Sequence, residues 1–243
     1  MKYLVTGKEM KLLDQNTSIN FKVPQLVLME QAAMCFVREL LACVPHMKKI
    51  ILFCGMGNNG ADGLAIARLL HQKGFDVEVC CIKDLCKEDK KCSAENLLQE
   101  EICNAYHITR RISMEDLEKR EYDVIVDAVF GIGLSRNLNT FYCDLFDKIN
   151  KMKGMRIAVD MASGIDADSG QVMGNAIKCD YTITFSFEKI GQYLWPGSEY
   201  SGTILCAPMG ITKESWLGKK PKMAYLEESD LSSLPKRPNH SNK

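Results

Sequence analysis

The chain has no surplus of either charge and no long apolar run. Its 243 residues carry 31 Lys and Arg against 31 Asp and Glu, so the formal net charge is +0. Surfaces that bind nucleic acids or anionic membranes work through excess positive charge, so this composition predicts neither partner. No window approaches the roughly 18 uninterrupted apolar residues of a membrane-spanning helix, and none is predicted.

Local metal and disulfide signatures are also missing. There are only 4 histidines, none of them close to another in sequence, and no CxxC spacing occurs. The 11 cysteines form an odd set, three of them (Cys54, Cys80 and Cys206) lie inside apolar runs, and no signal-peptide apolar segment follows Met1. These features predict reduced thiols and a cytoplasmic protein, without a zinc site built from neighbouring ligands.

The predicted loops lack the signatures of two large enzyme classes. No Ser-His-Asp or Cys-His pairing stands out, which argues against acyl transfer. The chain also has no GKS or GKT sequence of a nucleotide-hydrolysing P-loop, which argues against phosphoryl transfer from ATP.

Two helices are predicted at the N-terminus. Thr6 and Glu9 have the spacing of a capping box, and an apolar stripe with helical period follows them. Pro24 opens a second helical segment, QLVLMEQAAMCFVRELLACV, which is apolar nearly all round. We therefore expect this second helix to be buried on several sides.

From Lys49 onward, short β-rich runs alternate with helical segments. The predicted strands are KIILFC, FDVEVCCI, AYHI, YDVIVDAVFG, MRIAVDMASG, CDYTITFSF and GTILCAPM. Connections of this kind imply parallel strands joined by right-handed crossovers. The predicted fold class is α/β: a three-layer α/β/α, Rossmann-like, doubly wound and mainly parallel sheet, with two N-terminal helices.

The length corresponds to between one and two domains at about 150 residues each. The pattern of strands and helices extends over residues 1–217, which we predict to be one domain. Residues 218–243 are polar and irregular, and we predict them to be a tail or linker.

Residues that follow strands are the candidates for chemistry, because ligands of a doubly wound sheet bind beyond the carboxyl ends of its strands. After KIILFC comes GMGNNGADG, which satisfies GxGxxG from Gly55 to Gly60 between a strand and a helix. Such a turn lets backbone N–H groups approach a phosphate, although glycine-rich turns also arise for packing alone. Asn58, Asn59 and Asp62 add oxygen atoms that could bind sugar hydroxyls or a cation, or cap the helix.

Two further predicted strands end in an aspartate. Asp127 is followed by a loop with two glycines and Arg136, a residue type that can bind a phosphate with two donors. Asp160 ends the next strand and is followed by Ser163. A carboxylate at the floor of a partly apolar crevice can have its pKa raised towards neutrality, so Asp160 is predicted to act as an acid or base, with a turn cap as the alternative role.

The three loops together resemble the NAD(P)H-hydrate epimerase family. GMGNNGADG, DAVFGIGLSR and AVDMASGIDADSG carry the similarity, with YTITFSFEKIGQYLWPG after them and TGKEMKLLDQ and PQLVLMEQAA before them. The family is also met as the N-terminal half of bifunctional nicotinamide-nucleotide repair enzymes. The resemblance implies a substrate that is NADH or NADPH carrying water across a ring double bond, whose R and S forms the enzyme interconverts. A dehydratase acting only on the S form would then restore the whole pool.

The resemblance also implies roles for individual residues. Asp160 would bind the hydrated ring as the acid and base, and a potassium ion would be held by Asn59, Asp127 and Ser163. Oxygen ligands of these kinds suit a hard cation. No organic cofactor is implied, because hydrated NAD(P)H is the substrate. Substrate binding would fall to two loops and the catalytic aspartate: Asn58, Asn59, Gly60, Ala61, Asp62, Gly131, Ile132, Gly133, Leu134, Ser135, Arg136, Asn137 and Asp160.

The chain departs from the family pattern at two positions. The family usually has glycine where this chain has Ala61, and proline where it has Ala162. An alanine at position 61 is tolerated if its φ is helical, whereas a positive φ would strain the turn.

Two other functions remain open from the residues alone. An ordinary NAD(P)-dependent oxidoreductase would use Asp84, roughly 20 residues past the glycines, to hold a ribose hydroxyl. A non-catalytic nucleotide-binding protein could use the same pocket. Lys189 either adds charge to the phosphate site or is a solvated surface lysine, and the second role is the one expected.

Two partners are expected besides the small-molecule substrate. The apolar second helix predicts a homodimer. The ending LPKRPNHSNK resembles the junction that leads into an ADP/ATP-dependent dehydratase domain, which would be fused or separate, and a disordered terminus is the alternative.

Overall fold

A seven-stranded parallel sheet forms the central layer of the computed structural model, which describes residues 1–86 and 91–231. The strands, numbered along the chain, are β1 (Lys2–Val5), β2 (Lys49–Cys54), β3 (Asp76–Cys81), β4 (Thr109–Arg110), β5 (Val124–Ala128), β6 (Met155–Val159), β7 (Tyr181–Phe185), β8 (Glu188–Lys189), β9 (Thr203–Ala207) and β10 (Met223–Tyr225). The α-helices are α1 (Gly7–Asn20), α2 (Gln25–Cys43), α3 (Asn58–Gln72), α4 (Ile82–Leu85), α5 (Ala94–Ala105), α6 (Met114–Glu118), α7 (Thr140–Lys151), α8 (Gly197–Ser201) and α9 (Glu228–Leu231). Short 3₁₀ turns lie at Ile190–Gln192 and Lys213–Trp216.

The strand order of this sheet reverses in its middle. The order is β4-β3-β2-β5-β6-β7-β9, and every neighbouring pair is parallel. From β2 the chain proceeds outward to β3 and β4, and then returns to add β5 on the other side of β2. Such a switch point opens a crevice beyond the carboxyl ends of the two central strands. The predicted doubly wound α/β fold is confirmed.

Helices cover both faces of the sheet, as predicted. Ile50 and Leu52 of β2 pack in the same apolar cluster as the inner sides of α1, α2 and α3. Ile51 and Phe53 point to the opposite face, in a second cluster with α6 and α7. Because successive side chains of a strand alternate between faces, a strand buried on both sides reads as a continuous apolar run.

The two N-terminal helices begin where the sequence predicts them. The Thr6 hydroxyl accepts a hydrogen bond from the Glu9 backbone N–H (3.1 Å), and the Glu9 carboxylate accepts one from the Thr6 N–H (2.8 Å), which completes the capping box. The helix α2 begins directly after Pro24. Within one chain the expected burial of α2 on several sides is not met, because Leu26, Val27 and Met34 are exposed on its outer face.

A second, three-stranded sheet was not predicted. Its order is β10-β1-β8, with β1 antiparallel to β10 and parallel to β8, so that Val5 lies opposite Lys189. The strand β10 falls within the segment predicted to be a tail or linker. The domain boundary at residue 217 stays a prediction, and the ending LPKRPNHSNK lies outside the described residues.

The prediction of a strand at AYHI is wrong. Ala105 is the last residue of α5, the Tyr106 N–H still donates to the Ile102 carbonyl (3.0 Å), and His107 has a φ of 54°. The edge strand β4 therefore begins later, at Thr109. The sequence also predicts a solvated helix over the charged stretch KDLCKEDKKCSAENLLQEE, where the structure has α4 at its start and α5 from Ala94 onward, while residues 87–90 lie outside the described part of the chain.

Two expectations drawn from composition can be compared with the structure. All 11 cysteines are free thiols. Within residues 1–86 and 91–231, no helix combines the length and the apolar character needed to cross a bilayer.

Glu78 of β3 forms a buried charge network near the edge of the sheet, outside the cavity. Its carboxylate accepts two hydrogen bonds from the Arg111 guanidinium (2.6 and 2.8 Å) and one from the Tyr122 hydroxyl (2.6 Å). Arg111 above all, together with Tyr122, lowers the pKa of Glu78 from 4.5 to about 2, against the opposing effect of burial. The folded state therefore binds this proton more weakly than the unfolded chain does.

We expect the stability contributed by Glu78 to depend on pH in a defined window. Because its pKa is lower in the folded state, the contribution is complete above pH 4.5 and is lost as the pH falls towards about 2. Near neutral pH, Glu78→Gln should lower the free energy of unfolding by about 3 kcal/mol, measured by urea unfolding. The difference in unfolding free energy between wild type and Glu78→Gln should become smaller as the pH falls. The exposed control Glu115→Gln should stay near wild type at every pH. If the difference in unfolding free energy for Glu78→Gln does not change with pH, Glu78 does not have a lowered pKa in the folded state.

Candidate functional site

A cavity of about 1110 Å³ lies at the switch point of the sheet. Its walls are the first turn of α3, the loops after β5 and β6, and side chains from α1 and α2. Most of the predicted substrate-binding residues line it, namely Asn58, Asn59, Asp62, Gly131, Ile132, Gly133, Leu134, Arg136, Asn137 and Asp160. The cavity lining does not include Gly60, Ala61 or Ser135.

The glycine-rich turn presents the N-terminus of α3 to this cavity. The helix begins at Asn58, earlier than the apolar pattern alone predicts, and its first backbone bond runs from the Ala61 N–H to the Gly57 carbonyl (3.1 Å). The N–H groups of residues 58–60 therefore have no helical acceptor, and together with the helix dipole they favour an anion. Gly60 is required for packing, because a Cβ atom there would lie 1.9 Å from the Gly55 carbonyl oxygen.

The two departures from the family pattern do not strain the backbone. Ala61 lies inside α3, fully buried, and neither Ala61 nor Ala162 has a positive φ. The alanine at position 61 therefore meets the condition under which it is tolerated.

Asp127 and Ser163 lie fully buried outside the cavity lining, next to the loop that follows β5. The Asp127 carboxylate accepts hydrogen bonds from the Ser163 N–H (2.8 Å), the Ser163 hydroxyl (2.5 Å) and the Val129 N–H (3.2 Å). Burial raises the pKa of Asp127 to about 6, and these hydrogen bonds oppose the rise. All three donors are neutral, so they leave the carboxylate charge without a cation.

Asn59 is the third residue predicted to bind potassium. Its side-chain amide nitrogen is buried and has no hydrogen-bond partner among residues 1–86 and 91–231. Its amide oxygen lies against Gly131, where an added Cβ atom would come within 3.0 Å of it. The amide nitrogen is thus not held by a hydrogen bond within the described residues, and the predicted set offers amide, carboxylate and hydroxyl oxygens.

Asp160 follows β6 in a left-handed backbone conformation, with a φ of 68°. One oxygen of its carboxylate, Oδ1, accepts hydrogen bonds from Lys189 Nζ, from the Thr184 hydroxyl (3.1 Å) and from the Phe185 N–H (3.4 Å). Within the described residues, no hydrogen bond reaches the other oxygen, Oδ2. Asp160 lines the cavity, so Oδ2 is the atom left to meet a ligand.

The expectation of a solvated Lys189 is wrong. Lys189 is fully buried, and its ammonium group donates to the Asp160 carboxylate, to the Thr184 hydroxyl (2.8 Å) and to the Phe185 carbonyl (3.4 Å). The strand β8 places it there by pairing with β1. The sequence carries little signal for this burial, because the pairing joins residues that are far apart along the chain.

Besides Asp160, three carboxyl residues line the cavity, namely Asp14, Asp62 and Glu95, and no signal in the sequence indicated Asp14. Asp14 of α1 lines the cavity, where burial, and then the charge of Asp160, raise its pKa to about 6. Burial, followed by the charges of Asp160 and Asp14, raises the pKa of Asp62 well above its usual range. In the described part of the chain, no group of three or more His, Cys, Asp or Glu side chains is arranged to hold a metal ion.

Besides Lys189, three basic side chains line the same cavity: Lys11, Lys91 and Arg136. They place positive charge on walls that also carry carboxyl groups.

The ribose contact of an ordinary dehydrogenase is not present. Both carboxylate oxygens of Asp84 accept hydrogen bonds from the Arg110 guanidinium (each 2.6 Å), and Asp84 does not line the cavity. The predicted alternative role for Asp84 is therefore wrong.

The sheet and its cavity define the class of protein: a doubly wound α/β protein with a candidate ligand site at the switch point of a parallel sheet. Within that class, residues 25–191 match the family described as YjeF-related protein N-terminus. The crystal structure of yeast ynu0 shares the fold, with a TM-score of 0.75 at 18% identity over 93% of this chain and 97% of that one.

Curated relatives narrow the class to one family. The NAD(P)H-hydrate epimerase of Limosilactobacillus reuteri is 40% identical over 205 residues, which cover 84% of this chain and 94% of that protein. The NAD(P)H-hydrate epimerase of Weissella koreensis is 37% identical over 207 residues, covering 85% and 91%. The chain belongs to the NAD(P)H-hydrate epimerase family, and the resemblance seen in the sequence is confirmed.

Proposed function

We propose that the protein is an isomerase that interconverts the R and S hydrates of NADH and NADPH in nicotinamide-nucleotide repair. One observation carries the proposal. Asp160 presents a free carboxylate oxygen to a large cavity, while Lys189 and Thr184 hold its other oxygen in place. The activity for which the relatives are named supports the same conclusion.

The cavity has the groups that a dinucleotide needs. The free N–H groups at the start of α3 and the side chains of Lys11, Lys91 and Arg136 supply donors and positive charge for phosphates. The loop of residues 131–137 supplies backbone and side chains along the opposite wall. We assign substrate binding to this loop, to residues 58–62 and to Asp160.

Asp160 is assigned the proton transfers. The ring nitrogen of the hydrate expels the hydroxyl group as water, which gives an iminium, and water then adds to the other face of the ring. Asp160 exchanges protons with an oxygen that leaves or arrives. The ion pair with Lys189 keeps this carboxylate oriented towards the ring. It also means that neither buried charge is left unpaired.

A potassium ion is proposed beside the cavity, held by Asn59, Asp127 and Ser163. The buried Asp127 carboxylate is held only by neutral donors, and the Asn59 amide has no partner among the described residues, which fits a hard monovalent cation. When bound, the ion would supply positive charge near the ring and fix the loops after β5 and β6. The chain's own residues perform the proton transfers.

Replacing potassium should destabilise the wild-type protein. An ion that binds only the folded state raises the melting temperature, so KCl should give a higher value than N-methylglucamine chloride at equal ionic strength. Asp127→Asn, checked for folding by circular dichroism, should lose this difference because it removes the charge that holds the ion. Equal melting temperatures of the wild type in both salts would contradict a potassium site.

The activity is tested by chiral chromatography of hydrated NADPH. Pure R hydrate should approach the equilibrium mixture of R and S much faster with the protein than in a buffer blank. An R hydrate that persists at the blank rate would overturn the proposal. Hydride transfer with NAD and a hydroxy acid would instead favour an oxidoreductase, and binding without turnover would favour a nucleotide-binding protein.

The exposed apolar side chains of α2, Leu26, Val27 and Met34, support a homodimer. Light scattering tests this, because a homodimer has twice the mass of one chain.

The free thiols of all 11 cysteines support a reducing, cytoplasmic compartment. An ADP/ATP-dependent dehydratase, fused or separate, is the proposed functional partner, because only the S form would be its substrate.

A further inference from the structure

Asp160 is held too firmly to serve both faces of a planar ring. Its carboxylate Oδ1 is fixed by Lys189, Thr184 and the Phe185 N–H. Its backbone is fixed as well, since its N–H donates to the Ile183 carbonyl (2.9 Å) and its carbonyl accepts from the Gln192 side chain (2.8 Å). In an epimerisation through a planar iminium, the oxygen leaves from one face and water arrives at the other. The second face therefore needs a proton-transfer group of its own.

Asp14 is placed to be that group. It lies on α1, one turn after Met10, and both residues line the cavity together with Lys11. It thus enters from a helix wall, whereas Asp160 stands at the end of a strand of the central sheet. Among the described residues, the Asp14 carboxyl makes no hydrogen bond or ion pair, so nothing commits it to a structural role.

The electrostatic setting fits proton exchange near neutral pH. Burial raises the pKa of Asp14 to about 6, the charge of Asp160 adds to the rise, and Lys189 opposes it. Burial, followed by the charges of Asp160 and Asp14, raises the pKa of the neighbouring Asp62 well above its usual range.

We propose that Asp14 is the second catalytic residue of the epimerisation and serves the ring face opposite to Asp160. The inference rests on the proposed function. For one epimer, protonated Asp14 donates its proton to the hydroxyl oxygen, the C–O bond breaks with its electron pair on oxygen, and water leaves while the nitrogen lone pair forms C=N. Water then bonds to the carbon from the other face and gives its proton to Asp160. The reverse reaction exchanges the two roles, and solvent restores the protons.

Asp14→Asn tests this inference in the full-length protein. We expect kcat to fall by about 10²-fold in both directions, with KM changed by less than about threefold. The wild-type profile of kcat against pH should have a limb near pH 6, which Asp14→Asn should lack. The control Asp144→Asn, an exposed carboxyl on α7, should keep both the rate and the limb.

The other possible results distinguish a failure of the role of Asp14 from a failure of the proposed function. An active wild type with an equally active Asp14→Asn overturns this inference alone, and so does a slower Asp14→Asn that keeps the limb near pH 6. A loss of activity that comes only through KM assigns Asp14 to binding and also overturns it. A wild type that does not epimerise the hydrate contradicts the proposed function itself, and this inference with it.

Discussion

Replacing Asp160 with asparagine is expected to lower kcat for epimerisation by about 10³-fold, the largest effect of any single change in the cavity. Asparagine cannot give or take the proton, but it keeps an oxygen that can accept from Lys189 and Thr184. It also tolerates the left-handed backbone at this position, where φ is 68°. Affinity for the hydrate should therefore change little.

Steady-state rates on each pure epimer measure this effect, with Asp144→Asn as the matched control. Both variants remove one carboxylate, but Asp144 is exposed on α7 and does not line the cavity. Full turnover by Asp160→Asn would remove Asp160 from the chemistry. A higher KM with unchanged kcat would make it a binding residue only.

Replacing Lys189 with methionine should cost both stability and activity. It leaves the Asp160 carboxylate, partly buried, without its cation, and breaking such a pair typically destabilises by about 3 kcal/mol or more. The carboxylate also loses its strongest fixing contact, and a misplacement of about 1 Å is enough to lower kcat by about 10²-fold. Chemical unfolding and epimerisation rates measure the two effects separately.

The double variant Lys189→Met with Asp160→Asn separates stability from catalysis. It removes both charges together, so its free energy of unfolding should recover to within about 1 kcal/mol of wild type, while its activity should stay as low as that of Asp160→Asn. If the two single effects on stability simply add, Lys189 and Asp160 are not coupled. A stable and fully active Lys189→Met would also contradict the assigned pair.

The sheet and the three loops could be predicted because their signals are local. Apolar runs ending in glycine or aspartate mark the strand ends, and the rule for doubly wound sheets brings Asn59 and Asp160 to one edge. The effect of alanine at position 61 also depends only on local structure, because α3 begins at Asn58 and gives position 61 a helical backbone. In these cases each residue's environment depends mainly on its neighbours in the chain.

The buried charges could not be predicted because their partners are distant in sequence. Lys189 is buried only because β8 pairs with β1, and its charge is satisfied by Asp160, 29 residues away. A two-residue strand such as β8 has too little pattern to be recognised. Asp14 gave no signal for a similar reason: only the packing of α1 over the carboxyl ends of the strands brings this polar residue into the cavity.

The fate of the oxygen atom tests the central claim, that water leaves and re-adds beside Asp160, most directly. Pure R hydrate is incubated with the protein in water labelled with heavy oxygen, and the S hydrate is isolated early and analysed by mass spectrometry, with a protein-free blank subtracted. The mechanism predicts that S hydrate carries the solvent oxygen from its first appearance, and that Asp160→Asn suppresses both the S hydrate and the label. S hydrate that retains the original oxygen would mean that the ring opens at its C–N bond, which contradicts the account.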